Sequence, residues 1–300
     1  MSRWSPMLWR MSTSCSTESS ANKLTPRKRW GQHFLRDERL ARRIVELLAC
    51  QPGETVLEVG PGTGALTEHL LRLPIRLVAV ELDERCLALL RERFPESAFP
   101  QARFVHGDIL EYDLAGYAQQ VLEQTGKKLV VIGNLPYNIS SPLLFRLFDT
   151  ARLLSRAVLM VQRELAQRLV APPGTKEYGI LRLACWVVAE ARLCFHVPAW
   201  AFQPAPEVTS TVVSLRFRPD AWSGDTFQRF RRFLQAAFGK RRKQLHNALE
   251  DYVASLLHRS AGEVLQKAGI APERRAEELS PEELIGLYRL LEAERLDGCA

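Results

Sequence analysis

Thr55-Val56-Leu57-Glu58-Val59-Gly60-Pro61-Gly62-Thr63-Gly64 is the stretch on which the reading of this 300-residue chain turns. A short β-rich run ends in a glycine loop. A helical pattern follows from Ala65, with Leu66, Leu70 and Leu71 on one face. Glycines at a strand-to-helix turn let a backbone come close to a ligand and accept unusual dihedral angles. The spacing is G-x-G-x-G rather than the G-x-G-x-x-G of dinucleotide enzymes, so no phosphate has to sit on the helix that follows. By itself such a loop could be an ordinary turn.

Working outward, three more strand ends carry side chains suited to a nucleoside and its neighbours. Arg76-Leu77-Val78-Ala79-Val80 is a second β-rich run, closed by Glu81. An acid about 20 residues past a glycine loop can accept hydrogen bonds from both hydroxyls of a ribose. Asp83 is expected to cap the next helix instead. Arg103-Phe104-Val105-His106-Gly107 leads to Asp108, whose carboxylate could accept an adenine amino group or cap the segment after it. The apolar run Leu129 to Gly133 leads to Asn134-Leu135-Pro136-Tyr137. Two acceptors there, the Asn134 side-chain oxygen and a carbonyl of Leu135-Pro136, could grip the two N–H groups of an exocyclic amine. That grip would aim the nitrogen's otherwise delocalised lone pair at an electrophile. Pro136 stiffens the backbone, and Tyr137 offers a ring on which a base can stack. All these features fall at the carboxyl ends of consecutive strands, where open α/β sheets bind ligands.

In this order, Gly60-x-Gly62-x-Gly64, Glu81, Asp108 and Asn134-Leu135-Pro136-Tyr137 resemble the class I S-adenosylmethionine methyltransferases that modify adenine N6. More narrowly, the chain is similar to the small-subunit ribosomal RNA adenine N6,N6-dimethyltransferase family, from about Lys23 to about Leu291. Its segments are Lys28 to Leu35 (KRWGQHFL), Asn134 to Pro142 (NLPYNISSP), Phe202 to Ser210 (FQPAPEVTS) and Phe238 to Lys243 (FGKRRK). The resemblance implies an α/β fold: a Rossmann-like sheet with helices on both faces, plus a small all-α C-terminal domain. It also implies an enzyme that uses S-adenosyl-L-methionine to place two methyl groups on each of two adjacent adenosines. These lie in a hairpin loop near the 3′ end of small-subunit ribosomal RNA, and the partner is that RNA or the partly assembled small subunit.

Residue by residue, the resemblance assigns His33, Leu35, Gly60, Gly62, Glu81, Asp108 and Asn134 to the cofactor. It assigns Asn134, Leu135, Pro136, Tyr137 and Phe202 to the target base, with Phe202 covering the face opposite Tyr137. Position 33 is more usually Asn in the family; a backbone contact would survive the change to His, whereas an amide contact would not. Trp30 replaces the more usual Phe. No side chain has to act as a strong base, because the sulfonium leaving group is already activated and the amine proton becomes acidic only as the N–C bond forms. Alignment and charge placement therefore supply most of the catalysis. A second transfer needs a pocket that admits a nitrogen already carrying one methyl.

Composition is compatible with this picture. Hydrophobic residues make up 46% and charged residues 25%, as in ordinary globular proteins, and the formal net charge of +7 favours an anionic partner. Residues 23–29 hold Lys23, Arg27, Lys28 and Arg29 and no acid. Residues 226–246 hold Arg229, Arg231, Arg232, Lys240, Arg241, Arg242 and Lys243, again without an acid. Charge runs are usually solvated faces. Here Lys28, Arg29 and Lys240 to Lys243 are read as RNA-phosphate contacts, and Phe227, Phe230, Phe233 and Phe238 as packing. The six cysteines form no C-x-x-C pair and the histidines no ligand spacing, so reduced thiols, no metal and a cytoplasmic protein are expected. No run reaches the length of a membrane span. Residues 1–22, rich in Ser and Thr, read as a disordered tail rather than a transit peptide.

The expected layout is a methyltransferase domain over 23–218 and a helical RNA-binding domain over 225–300, in a monomer. Asp37 caps a first helix with Leu40, Ile44, Leu47 and Leu48 inward. The proline-rich loop from Pro198 to Ser210 is long enough to suggest a functional role. Three other readings compete. A large-subunit RNA dimethylase is disfavoured by the Phe238–Lys243 segment and the long helical tail. A DNA adenine methyltransferase would need a recognition region that the spacing leaves no room for. A non-enzymatic assembly or transcription factor is disfavoured by intact Glu81, Asp108 and Asn134.

Overall fold

The computed structural model describes residues 27, 31–240 and 243–297. The expectations placed on residues 1–22, Lys28, Arg29, Trp30, Arg241 and Arg242 lie outside them.

The β-branched runs form strands that alternate with helices: β1 (Phe34–Leu35), α1 (Glu38–Glu46), β2 (Thr55–Val59), α2 (Thr67–Leu70), β3 (Arg76–Glu81), α3 (Glu84–Arg93) and β4 (Ala102–His106). Then come α4 (Leu114–Thr125), β5 (Leu129–Asn134), α5 (Ser140–Asp149), β6 (Leu154–Gln162), α6 (Arg163–Val170) and α7 (Ile180–Val188). After β7 (Ala189–Val197), β8 (Phe202–Gln203) and β9 (Ser210–Phe217) the chain is helical: α8 (Gly224–Gly239), α9 (Leu245–Leu257), α10 (Ala261–Lys267) and α11 (Pro281–Asp297).

Seven strands make one sheet in the order β4-β3-β2-β5-β6-β9-β7. Strands β4, β3, β2, β5 and β6 run parallel, and β9 is antiparallel to both β6 and β7. Parallel strands joined by helices are covered on both faces, and β2 accordingly is buried along its whole length. Its side chains alternate between two apolar layers. Val56, with Val130, Ile132 and Val158, faces α1 and α2. Leu57 and Val59, with Val131 and Leu159, face α4, α5 and α7. The second layer runs on without a break into Phe227, Phe230, Phe233 and Leu291 of the C-terminal helices, so those phenylalanines are core, as expected.

The chain leaves β2 toward one edge and returns through β5 on the other side of β2. The order therefore reverses between β2 and β5, and a crevice opens at their carboxyl ends. Two local expectations are corrected. Leu47 is 36% exposed, because α1 ends at Glu46 and its inward stripe is Ala41, Ile44, Val45 and Leu48. The regular helix after the glycine loop is only Thr67–Leu70, since Pro74 lies just beyond and cannot continue it. The side chain of Asp37 accepts from Leu40 N–H and caps α1 as predicted. Among the described residues, no helix is long and apolar enough to cross a membrane.

Candidate active site

A cavity of about 320 Å³ fills the crevice. Its walls bring together His33, Leu35, Gly60, Gly62, Glu81, Asp108, Asn134, Leu135, Pro136 and Tyr137, which the sequence placed far apart. Of the residues assigned to cofactor or base within the described chain, Phe202 alone is absent from the walls.

The glycine loop is shaped by its neighbours. Gly60 and Gly62 have φ of +62° and +56°, and a Cβ at Gly62 would meet the Phe34 ring at 3.0 Å. Only glycine both adopts that turn and lets the 31–35 segment lie down on it. The loop is then pinned from beneath by Glu81, whose Oε2 accepts from Gly62 N–H at 2.9 Å and whose Oε1 accepts from Asp83 N–H at 2.8 Å. A carboxylate offers about four lone-pair directions, so these bonds leave room for two hydroxyl donors. Burial pushes the Glu81 carboxyl above its ordinary range, against the pull of those two N–H bonds.

Asp83 caps α3 as expected, accepting from Arg85 N–H at 3.1 Å, and is ion-paired to the Arg85 guanidinium at 2.6 Å. Its Oδ2 also accepts from Gln32 Nε2 at 3.1 Å. Burial opposes its ionisation, but the bonds from Arg85 and Gln32 prevail and hold its pKa low. Asp108 combines its two readings: Oδ1 accepts from Leu110 N–H at 2.8 Å while the residue stands in the cavity wall.

At the end of β5, Asn134 Nδ2 donates to the His33 backbone carbonyl at 2.9 Å. The amide nitrogen is thereby spent on the 31–35 segment and Oδ1 is left as the acceptor. The contact uses the backbone of residue 33, the case in which His for Asn is tolerated. The Pro136 carbonyl already accepts from Ile139 N–H at 3.2 Å and Ser140 Oγ at 2.9 Å. The Leu135 carbonyl is therefore the remaining backbone acceptor, while the Leu135 side chain, 1% exposed, is packed in the core. Tyr137 hydroxyl and Ser210 Oγ lie 2.9 Å apart, and burial raises the phenol's pKa despite that bond.

Phe202 requires a correction. It is 4% exposed and packed with Leu35, Val197 and Val212 in the apolar layer facing α1. The cause is β-pairing: β8 runs antiparallel to β1, with Leu35 opposite Phe202 and Phe34 opposite Gln203. The ring stacked on Tyr137 is instead that of His33, 5.5 Å away at 30°, with Nδ1 2.8 Å from the Pro204 carbonyl. Lys240 is a surface residue, 3.3 Å from Asp251.

Two cavity residues escaped the sequence reading. Gln32 ties the 31–35 segment to Asp83; its only signal was its place inside KRWGQHFL. Glu58 is more telling: an acid in the middle of an otherwise apolar parallel strand. It is 1% exposed, its Oε2 accepts from Thr67 Oγ1 at 2.7 Å, and its Oε1 is buried without a partner. Burial first, and the neighbouring Glu81 charge after it, push its pKa up to about 8, while the Thr67 hydroxyl pulls the other way. The folded protein holds this proton more tightly than the unfolded chain, so the stability it favours is present at low pH. That stability is lost as pH climbs from about 4.5 through about 8. Replacing Glu58 by Gln is therefore expected to leave the melting temperature nearly unchanged at pH 5. At pH 8.5 it should raise it by roughly 5–10 °C, from an effect on the order of a few kcal/mol. Parallel pH profiles for wild type and variant would show that Glu58 ionises normally.

A second, more open cavity of about 760 Å³ lies one strand further along the same edge. It is lined by Gln162, Arg163, Arg168, Thr209 and Phe238; Thr209 immediately precedes Ser210, the partner of Tyr137.

Comparisons with known proteins agree with this geometry. Residues 23–293 match the family described as "Ribosomal RNA adenine dimethylase". The "Ribosomal RNA small subunit methyltransferase A" of Geobacter metallireducens is 42% identical over 269 residues, covering 89% of this chain and 96% of that protein. The protein of the same name from Salinibacter ruber is 41% identical, covering 97% and 94%. Among solved structures, a dimethyladenosine transferase from Plasmodium falciparum aligns with a TM-score of 0.74 at 24% identity, covering 87% and 98%. The 23S rRNA methyltransferase ErmE aligns at 0.64, also at 24%, covering 86% and 99%. At that identity the two structures establish the fold alone.

Proposed function

The chain belongs to the ribosomal RNA adenine dimethylase family, and from that we propose that it dimethylates N6 of two adjacent adenosines in the hairpin loop near the 3′ end of small-subunit ribosomal RNA. It is a ribosomal RNA adenine dimethyltransferase. The small subunit is preferred over the large because the relatives at about 40% identity carry the small-subunit name. The single observation that carries the chemistry is that Asn134, Leu135, Pro136 and Tyr137 line the same cavity as Glu81 and Asp108.

S-adenosyl-L-methionine supplies an electrophilic methyl on a sulfonium when bound. The residues present fit it. Glu81 has lone pairs left for ribose hydroxyls, Asp108 can accept the adenine amine, and Gly60–Gly62 leave space that a side chain would fill. Glu58, whose Oε1 is buried without a partner, stands in the same cavity wall. His33 and Leu35 close the segment over it, held by Asn134 and by the β1–β8 pairing.

At the target, Asn134 Oδ1 and the Leu135 carbonyl orient the amine, and Tyr137, anchored by Ser210, supports the base. With Phe202 packed away, the ring facing Tyr137 is His33's, and an incoming adenine has to displace it. Unstacking that adenosine costs a few kcal/mol and is cheapest in a loop. No side chain needs to remove the proton before the N–C bond forms. In the second round the nitrogen has a single N–H, so one acceptor is vacated and the methyl takes its place.

Residues 23–218 serve in this reading as the methyltransferase domain and 225–300 as the RNA-binding domain. Lys28, Arg29 and Lys240 to Lys243 meet phosphate, and the protein works as a cytoplasmic monomer on the partly assembled subunit. The decisive assay offers labelled S-adenosylmethionine with the hairpin, the partly assembled subunit, or duplex DNA. Dimethyladenosine in the RNA substrates and none in DNA is expected. Methylated duplex DNA with unmodified small-subunit RNA would overturn the substrate and leave only adenine-N6 chemistry.

A further inference from the structure

The surface just outside the 31–35 segment carries an exposed aromatic that nothing above uses. Trp200 is 71% exposed, the most exposed large hydrophobic residue among those described. Its surroundings are rigid. It sits in a single helical turn, Ala199–Ala201, between Val197 at 0% and Ala201 and Phe202 at 1% and 4% exposure. The Ala201 carbonyl accepts from Arg36 N–H at 2.8 Å, and Phe202 pairs with Leu35. Phe34 and Leu35 are themselves cavity wall. Trp200 is therefore two residues from Phe202, whose β-partner Leu35 is a wall residue of the cavity.

The charge beside it is cationic. Arg36, Arg39 and Arg43 are exposed and recur every three or four residues, on one face of the α1 end of the chain. That stripe touches the segment bearing Trp200 at both ends: Arg36 through the Ala201 carbonyl, and Arg43 with its guanidinium 3.9 Å over the Phe195 ring. Arg42 is engaged with Glu46 at 3.7 Å. The exposed acids close in sequence are Glu38, in the first turn of α1, Glu46, paired with Arg42, and Glu207. An exposed aromatic on a segment that a cationic helix face contacts is an arrangement suited to a single-stranded base and its phosphates.

We propose that Trp200 is a stacking platform for an unpaired base beside the target adenosine, with Arg39 and Arg43 holding its phosphates. This rests on the reading of the chain as an enzyme of RNA loops and says where the strand leaves the active site. The platform suits any of the four bases, so it fixes register rather than sequence.

The test compares full-length wild type, Trp200→Ala and Trp200→Phe for binding of a labelled hairpin by fluorescence anisotropy over a salt series. Trp200→Ala should weaken binding roughly tenfold, Phe should restore most of it, and neither should change the salt dependence. Arg39→Ala should instead flatten the salt slope by about 0.7–0.9. Cofactor affinity should be the same in all four proteins, which separates lost stacking from misfolding. Wild-type affinity in Trp200→Ala would overturn the platform. So would a defect on the partly assembled subunit but none on the naked hairpin, which would assign the indole to a protein. Failure of the wild type itself to bind any RNA would instead strike down the proposed function.

Discussion

Asn134→Ala is expected to lose roughly 10²–10³-fold in kcat, the range found when one preorganised polar group is removed from a reacting centre. Its affinity for hairpin RNA should be unchanged, because the cations proposed to hold phosphate lie elsewhere. The structure adds a second consequence. Asn134 Nδ2 holds the His33 carbonyl at 2.9 Å, so the alanine variant also releases the 31–35 segment and should bind cofactor somewhat less tightly. Asn134→Asp separates the two roles, since it keeps an acceptor for the amine and loses the donor to His33. It should recover part of kcat but not the cofactor affinity. Single-turnover methylation with saturating cofactor, alongside calorimetric binding, reads both quantities. Near-normal turnover in Asn134→Ala would remove this side chain from the chemistry and leave the backbone of Leu135 to orient the amine alone.

Glu81→Ala is the other large effect. Two ribose hydrogen bonds to a charged acceptor are worth about 1.5–3 kcal/mol each, so affinity for S-adenosylmethionine should fall by roughly 10²–10⁴-fold. The same carboxylate accepts from Gly62 and Asp83 N–H groups, so part of that loss will come from a loosened glycine loop. Adenosine and S-adenosylhomocysteine distinguish the two causes. Loss of ribose bonds should weaken both ligands as much as the cofactor, whereas a 2′-deoxyribose analogue should bind wild type and variant with a much smaller difference. Unchanged calorimetric affinity for the cofactor would exclude Glu81 from the site. Glu81→Gln is the less informative variant, because its amide would turn a donor toward the Gly62 N–H.

These two residues illustrate what could be read in advance. Glu81 and Asn134 were legible because each closes a run of buried β residues, whereas Asp108 follows the partly exposed edge strand β4 and was legible from its place in the motif order. In a parallel sheet covered on both faces such runs are nearly continuous apolar sequence, so a polar residue at their carboxyl end stands out. The inward placement of Phe227, Phe230 and Phe233 was legible from helical spacing. Glu58 could have been suspected on the same ground, as an acid inside such a run. What no local pattern conveys is which of its two oxygens finds a partner.

The alternation of strands and helices, the strand ends that line the cavity, and the family could be read from residue order alone, because they depend on side-chain periodicity and short motifs. Only the tertiary structure decided the rest. Asn134 meets His33 across 101 positions, and Tyr137 meets Ser210 across 73. The pairing of Phe34–Leu35 with Phe202–Gln203 turns one aromatic into the core and leaves its neighbour Trp200 in solvent. A two-residue strand carries no periodicity of its own, and burial at its positions is set by the partner strand and the layer beneath it. The sequence said that an aromatic stood on this loop; the pairing register decided which aromatic faces inward.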